Sequence, residues 1–86
     1  EDRWLIECDL ATEASATIRA KASRHLAYYR SASESVHPRV LWAVPDLRRA
    51  EQIADVLRRL PTPADRLFAI CLLDEVAGFL ASEAHS

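Results

Sequence analysis

The chain has 86 residues, 50% of them hydrophobic and 28% charged, with one Gly and four Pro, which gives room for one domain with one modest core. That apolar content excludes a disordered chain. The longest apolar run, Leu67 to Leu73, falls far short of the ~20 residues of a membrane-spanning helix. The net charge of −2 argues against a strongly nucleic-acid-binding surface, but its distribution is uneven: Arg19 to Arg49 holds seven basic against two acidic residues, and Glu1 to Glu13 five acidic against one basic.

Glu1-Asp2-Arg3 is not the basic start of a signal peptide and leads directly into Trp4-Leu5-Ile6. A start without Met and without a helix cap reads as a fragment of something longer. Trp4 to Leu10 has β-formers first and carboxylates last, and predicts a strand. Thr12 or Ser15 is placed to cap a helix from about Ala14 to Tyr29 or Ser31. Ile18, Ala22, Leu26 (or His25) and Tyr29 form its core stripe, beside a second stripe of Thr17, Lys21, Arg24 and Tyr28. Ser31 to Ser35 is small and polar, hence a loop, and Pro38 confirms the break.

Arg39 to Val44 is apolar nearly throughout, as a strand covered on both faces should be. Pro45 ends it, and Asp46 caps a helix over Leu47 to Leu60. Its apolar positions are Leu47, Ala50, Ile53, Ala54, Leu57 and Leu60; Arg48, Arg49, Glu51, Asp55, Arg58 and Arg59 are expected on the wet side. Pro61-Thr62-Pro63 terminates it. Leu67 to Leu72 predicts a third strand, and Asp74 caps a last helix over Glu75 to Leu80. The expected fold is therefore α/β, a three-layer βαβαβα arrangement with a short, mostly parallel sheet. One domain spans 1–80, and a flexible tail 81–86. Three strands are few for a sheet covered on both faces, so an absent N-terminal part or a second copy is expected to complete it. Cys8 and Cys71 lie in apolar runs and read as buried free thiols, which points to the cytoplasm.

Two constellations could carry chemistry. Glu7 and Asp9, two apart on a strand, share a face, and with Glu13 they could ligate Mg²⁺, with Lys21 above them to meet a phosphate. Paired carboxylates are common, and from spacing alone the same residues read sooner as a solvated strand end beside a solvated helix. Arg24-His25 and Tyr28-Tyr29-Arg30 interleave aromatic and basic groups, a pattern that stacks on bases or holds phosphates; Tyr29 belongs to the core stripe and leaves Tyr28 for contact, although packing roles are the commoner reading for both tyrosines. His25, His37 and His85 lack ligand spacing. With Gly78 the one glycine, the chain has neither a phosphate-cradling Gly-rich loop nor a nucleophile elbow.

The blocks Ile6-Glu7-Cys8-Asp9-Leu10-Ala11-Thr12-Glu13, Ile18-Arg19-Ala20-Lys21 and Leu26-Ala27-Tyr28-Tyr29-Arg30-Ser31 occur in that order. They are followed by Pro38 to Asp46 with Arg48-Arg49-Ala50, and by Leu67-Phe68 leading to Leu73-Asp74-Glu75. Together, from about Trp4 to Leu80, they resemble the C-terminal part of the replication-relaxation family of largely actinobacterial plasmid and mobile-element proteins. The resemblance implies a winged-helix region upstream and the C-terminal half of a restriction-endonuclease-like (PD-(D/E)XK) fold. It also implies Glu7 as the motif's acidic residue. This sequence departs from the motif at Asp9, where the nuclease lysine should stand; Lys21 would be its migrated replacement. The implied catalytic set is Glu7, Asp9 and Lys21, the metal set Glu7, Asp9 and Glu13 for Mg²⁺, and the DNA-binding set Arg24, Tyr28 and Arg30. The motif's earlier Asp has no counterpart here, so the expected function is a DNA-associated, nuclease-like domain that does not cut by itself. The alternative is a non-catalytic α/β interaction or dimerisation domain. The expected partners are DNA and a second copy of the chain, not a membrane.

Overall fold

A computed structural model describes residues 3–31 and 38–84. The elements are β1 (Trp4–Cys8), α1 (Ser15–Ser31), β2 (Arg39–Val44), α2 (Leu47–Arg58), α3 (Ala64–Leu67), β3 (Phe68–Leu72) and α4 (Val76–Ala84), with a 3₁₀ turn over Leu73–Glu75 before α4. The described residues thus form a mixed α/β unit with a small parallel sheet, in the order β1-β2-β3. The expected loop is outside the described residues beyond Ser31, as are His37 and His85.

Parallel partners point to the same side, so the register Leu5↔Val40, Glu7↔Trp42, Val40↔Phe68 and Trp42↔Ile70 defines one face of the sheet. On that face the buried residues of α1 (Ile18, Ala22, Leu26, Tyr29) and of α2 (Ile53, Leu57) close over Val40, Trp42 and Val44 to make the core. Each fully buried Val or Ile among them (Ile18, Val40, Val44, Ile53) contributes about 1.5–3 kcal/mol over its exposed state. The opposite face is covered in part by α4, whose Phe79 meets Trp4 edge-on at 5.2 Å between centroids; Arg39 stacks over the same indole at 4.4 Å. Leu41 and Ala43 are fully buried on this side. β2, covered on both faces, is the apolar central strand its composition predicts.

Several expectations are corrected. Cys8 is exposed, because its side chain leaves the face opposite α1 on an edge strand, and Cys71 is half-buried. Leu47 is 70% exposed, since α2 turns the line Arg49, Ile53, Leu57 inward, and Leu47 lies off that line. Arg49, expected in water, is buried for the same reason. The helix α1 starts at Ser15, so Thr12 and Ser15 are not its cap; Ala14 precedes it and accepts backbone bonds from Thr17 and Ile18. Leu67 closes α3, a single turn not foreseen in the sequence, instead of opening β3. α4 continues to Ala84, because Ala81 to Ala84 includes no Gly or Pro to stop it. Asp46 caps α2 as expected, its Oδ1 accepting from the Arg49 N–H at 2.8 Å.

Candidate functional site

The carboxylates gather where β1 ends. The Asp9 N–H still donates to the Ala43 carbonyl at 2.8 Å, but the chain then turns away. The turn is made by Asp9 itself, whose Oδ2 accepts from the Ala11 N–H at 3.2 Å, and by Ala11 in the left-handed region at φ 62°. Because Glu7 and Asp9 are two apart, both point to the side of the sheet that carries α1 and α2. Glu7, Asp9, Glu13 and Lys21, singled out in the sequence, lie near one another at this end of the sheet.

Each carboxylate there meets a nitrogen partner of its own. Asp9 is 2% exposed and held bidentately by Arg49, Nε to Oδ2 at 2.6 Å and Nη2 to Oδ1 at 2.9 Å. The same Nη2 donates to the Glu13 carbonyl at 2.8 Å, and Nη1 to Gln52 Oε1 at 3.2 Å. Hydrogen bonding from Arg49 holds the Asp9 carboxyl below the ordinary carboxylate range against the opposing effect of burial, and the pairing raises Arg49 in turn. Lys21 Nζ lies 2.9 and 2.8 Å from the two Glu13 oxygens, which raises the pKa of its ammonium. His25 Nε2 stands 2.7 Å from Glu7 Oε2. His25 and Lys21 are one turn apart on α1, so one helix flank contacts Glu7 and Glu13 while α2 supplies Arg49 for Asp9.

Mg²⁺ requires several oxygens converging on one point. Both Asp9 oxygens are already committed to Arg49, and no cluster of three His, Cys, Asp or Glu side chains is arranged to hold an ion among the described residues. In this arrangement the set Glu7, Asp9, Glu13 does not fit the cation.

The DNA-binding candidates sit elsewhere on α1. The buried stripe fixes the helix rotation, which puts Arg24 on the outer crest and the 66% exposed Tyr28 beside it, one turn on. Arg19 and Arg30 project on the α2 flank: Arg19 lines a groove with Gln52, Asp55, Val56 and Arg59, and Arg30 donates to the Thr62 carbonyl. Over its 17 residues α1 carries Arg19, Lys21, Arg24 and Arg30 and no Asp or Glu, with Ala16, Ala20, Ser23 and Ala27 keeping the outer surface low.

Two members of this site escaped the sequence reading. His25 reads in the sequence as a core-stripe alternative or a basic neighbour of Arg24, and nothing in its spacing ties it to Glu7. Arg49 was put in water although it stands four residues before Ile53 and eight before Leu57, a spacing that marks it as inward-facing. Comparison with family models, with curated proteins and with solved structures finds no match to this chain.

Proposed function

We propose that this chain is a DNA-associated domain that contacts the phosphate backbone through α1 and does not cut it. The observation that carries the reading is the helix itself: four Arg/Lys, no carboxylate, and a crest of Arg24 and Tyr28 open to a ligand. Backbone recognition needs mobile cations and a hydroxyl donor on a surface that can approach closely, and small residues between the cations allow that approach. Arg24 and Tyr28 would meet one strand's phosphates, with Arg30 and Arg19 reaching from the α2 flank. The occupied carboxylates in and after β1 argue for binding without hydrolysis: Glu7 contacts His25, Glu13 is ion-paired with Lys21, and Asp9 is buried against Arg49. The Lys21 and Arg49 pairs also offset the negative charges of Glu13 and Asp9, which would otherwise repel DNA from α1.

The resemblance to the C-terminal part of the replication-relaxation family supports the same assignment and gives it a setting, a plasmid or mobile-element replication protein with a restriction-endonuclease-like core that has lost its cation site. The reading is tested by fluorescence anisotropy on a labelled duplex at low salt, with and without Mg²⁺, alongside incubation with supercoiled plasmid. The expected result is binding that Mg²⁺ and Glu7→Ala leave unchanged, that Arg24→Ala and Arg30→Ala weaken, and that leaves the plasmid intact. Absence of binding at low salt, or Mg²⁺-dependent nicking abolished by Glu7→Ala, would contradict it.

A further inference from the structure

Among the described residues no strand pairs with the outer edge of β1, and the chemistry of that edge is self-complementary. Arg39 N–H donates to the Arg3 carbonyl at 2.9 Å and Asp9 N–H to the Ala43 carbonyl at 2.8 Å, so the odd-numbered residues of this strand bond to β2. Parallel ladders alternate, and the N–H and C=O groups of Trp4, Ile6 and Cys8 therefore point outward along the free edge. Side chains beside that edge are apolar on both faces: Leu5 is 43% exposed on the α1 side and Ile6 44% on the other. At its two ends the α1 side carries opposite charges, the exposed Arg3 and, four residues on, Glu7.

We infer that β1 is an interface for a second copy of this chain, paired antiparallel about a two-fold axis at Leu5. In that register Leu5 faces its own symmetry mate as a non-hydrogen-bonded pair, and Arg3 of each copy faces Glu7 of the other. Trp4 and Ile6 of opposite copies exchange their outward N–H and C=O groups, which places apolar side chains together on the second face. The charges select this register. A parallel, in-register pairing sets Arg3 against Arg3 and Glu7 against Glu7, and an antiparallel pairing centred on Ile6 sets Glu7 against Leu5. Two copies joined in this way form one continuous six-stranded sheet with both α1 helices on the same face, and the interface is isologous, as a closed dimer requires. The inference stands apart from DNA binding, since it uses β1 and not the crest of α1.

The test uses the full chain with Cys8→Ser and Cys71→Ala, to which Leu5→Cys or Ile6→Cys is added, followed by mild oxidation and non-reducing electrophoresis. Cα atoms in a central non-hydrogen-bonded pair are ~4.5 Å apart, within disulfide reach. Leu5→Cys is expected to give a covalent dimer, and Ile6→Cys, which faces Trp4 of the other copy, to give little. Sedimentation of the unmodified chain at tens of micromolar is expected to show a dimer that Arg3→Glu, an exposed change that leaves the core untouched, weakens about tenfold. A monomer at that concentration would overturn the inference. Crosslinking through Ile6→Cys as efficient as through Leu5→Cys would overturn the register and with it the charge pairing.

Discussion

The Arg49 guanidinium grips both oxygens of Asp9 across forty positions of chain, at 2.6 and 2.9 Å, in a place water barely reaches. Asp9 ends β1 and Arg49 lies in the first turn of α2, so this pair closes the top of the sheet. It also anchors the turn into α1, through the Ala11 N–H on one side and the Glu13 carbonyl on the other.

Removing one partner leaves the other charged and buried. Asp9→Asn is expected to destabilise the fold by about 3–5 kcal/mol, measured by urea denaturation. The double variant Asp9→Leu/Arg49→Met, which removes both charges, should recover much of that loss. A double variant as unstable as the sum of its single changes would mean that the two residues do not act as a pair.

The same pair sets the acid limit of stability. Asp9 has a lowered pKa in the folded chain, so the folded state binds fewer protons than the unfolded one between that value and the ordinary carboxylate value of 3.8. The contribution is fully present above the unfolded value and is lost as pH falls through the folded one. Denaturation midpoints collected from pH 6 downward should decline below about pH 4 and decline less steeply in Asp9→Asn. Equal slopes for the two proteins would show that other carboxylates govern the acid limit.

Ala11 holds a left-handed conformation at φ 62°, which an L-residue with a Cβ adopts at a cost of roughly 1–2 kcal/mol. Ala11→Gly relieves that cost and gives back about 0.4–1 kcal/mol through the looser unfolded chain. The expected outcome is a net gain of a few tenths to about 1 kcal/mol, checked by thermal or urea unfolding. A clear loss of stability would show that the Asp9 turn is unstrained.

Much of the fold was legible in the sequence because its signals are local. The near-continuous apolar run of β2, the Ile18-Ala22-Leu26-Tyr29 stripe and the Asp46 cap each announce one element, and alternation of strands and helices gives the parallel order. The grouping of Glu7, Asp9, Glu13 and Lys21 was legible for the same reason: strand parity and helix spacing place them. The pairing inside the group was not. Whether Asp9 faces solvent, a cation or a guanidinium depends on how α2 rotates over the end of β1, and that rotation is fixed by Ile53 and Leu57 packing on the sheet. Short irregular features also escaped. The single turn α3 follows Pro63 with no periodicity of its own, and the exposure of Cys8 follows from β1 being an edge strand, which composition does not reveal.

The central claim, that α1 binds DNA through phosphate contacts alone, is tested most directly by the salt dependence of duplex affinity. Three phosphates neutralised by Arg19, Arg24 and Arg30 predict a slope of log K against log salt near about −2.7, the same for unrelated duplex sequences, and reduced in magnitude by about 0.9 in Arg24→Ala. A slope near zero, or one that Arg24→Ala leaves untouched, would contradict the account.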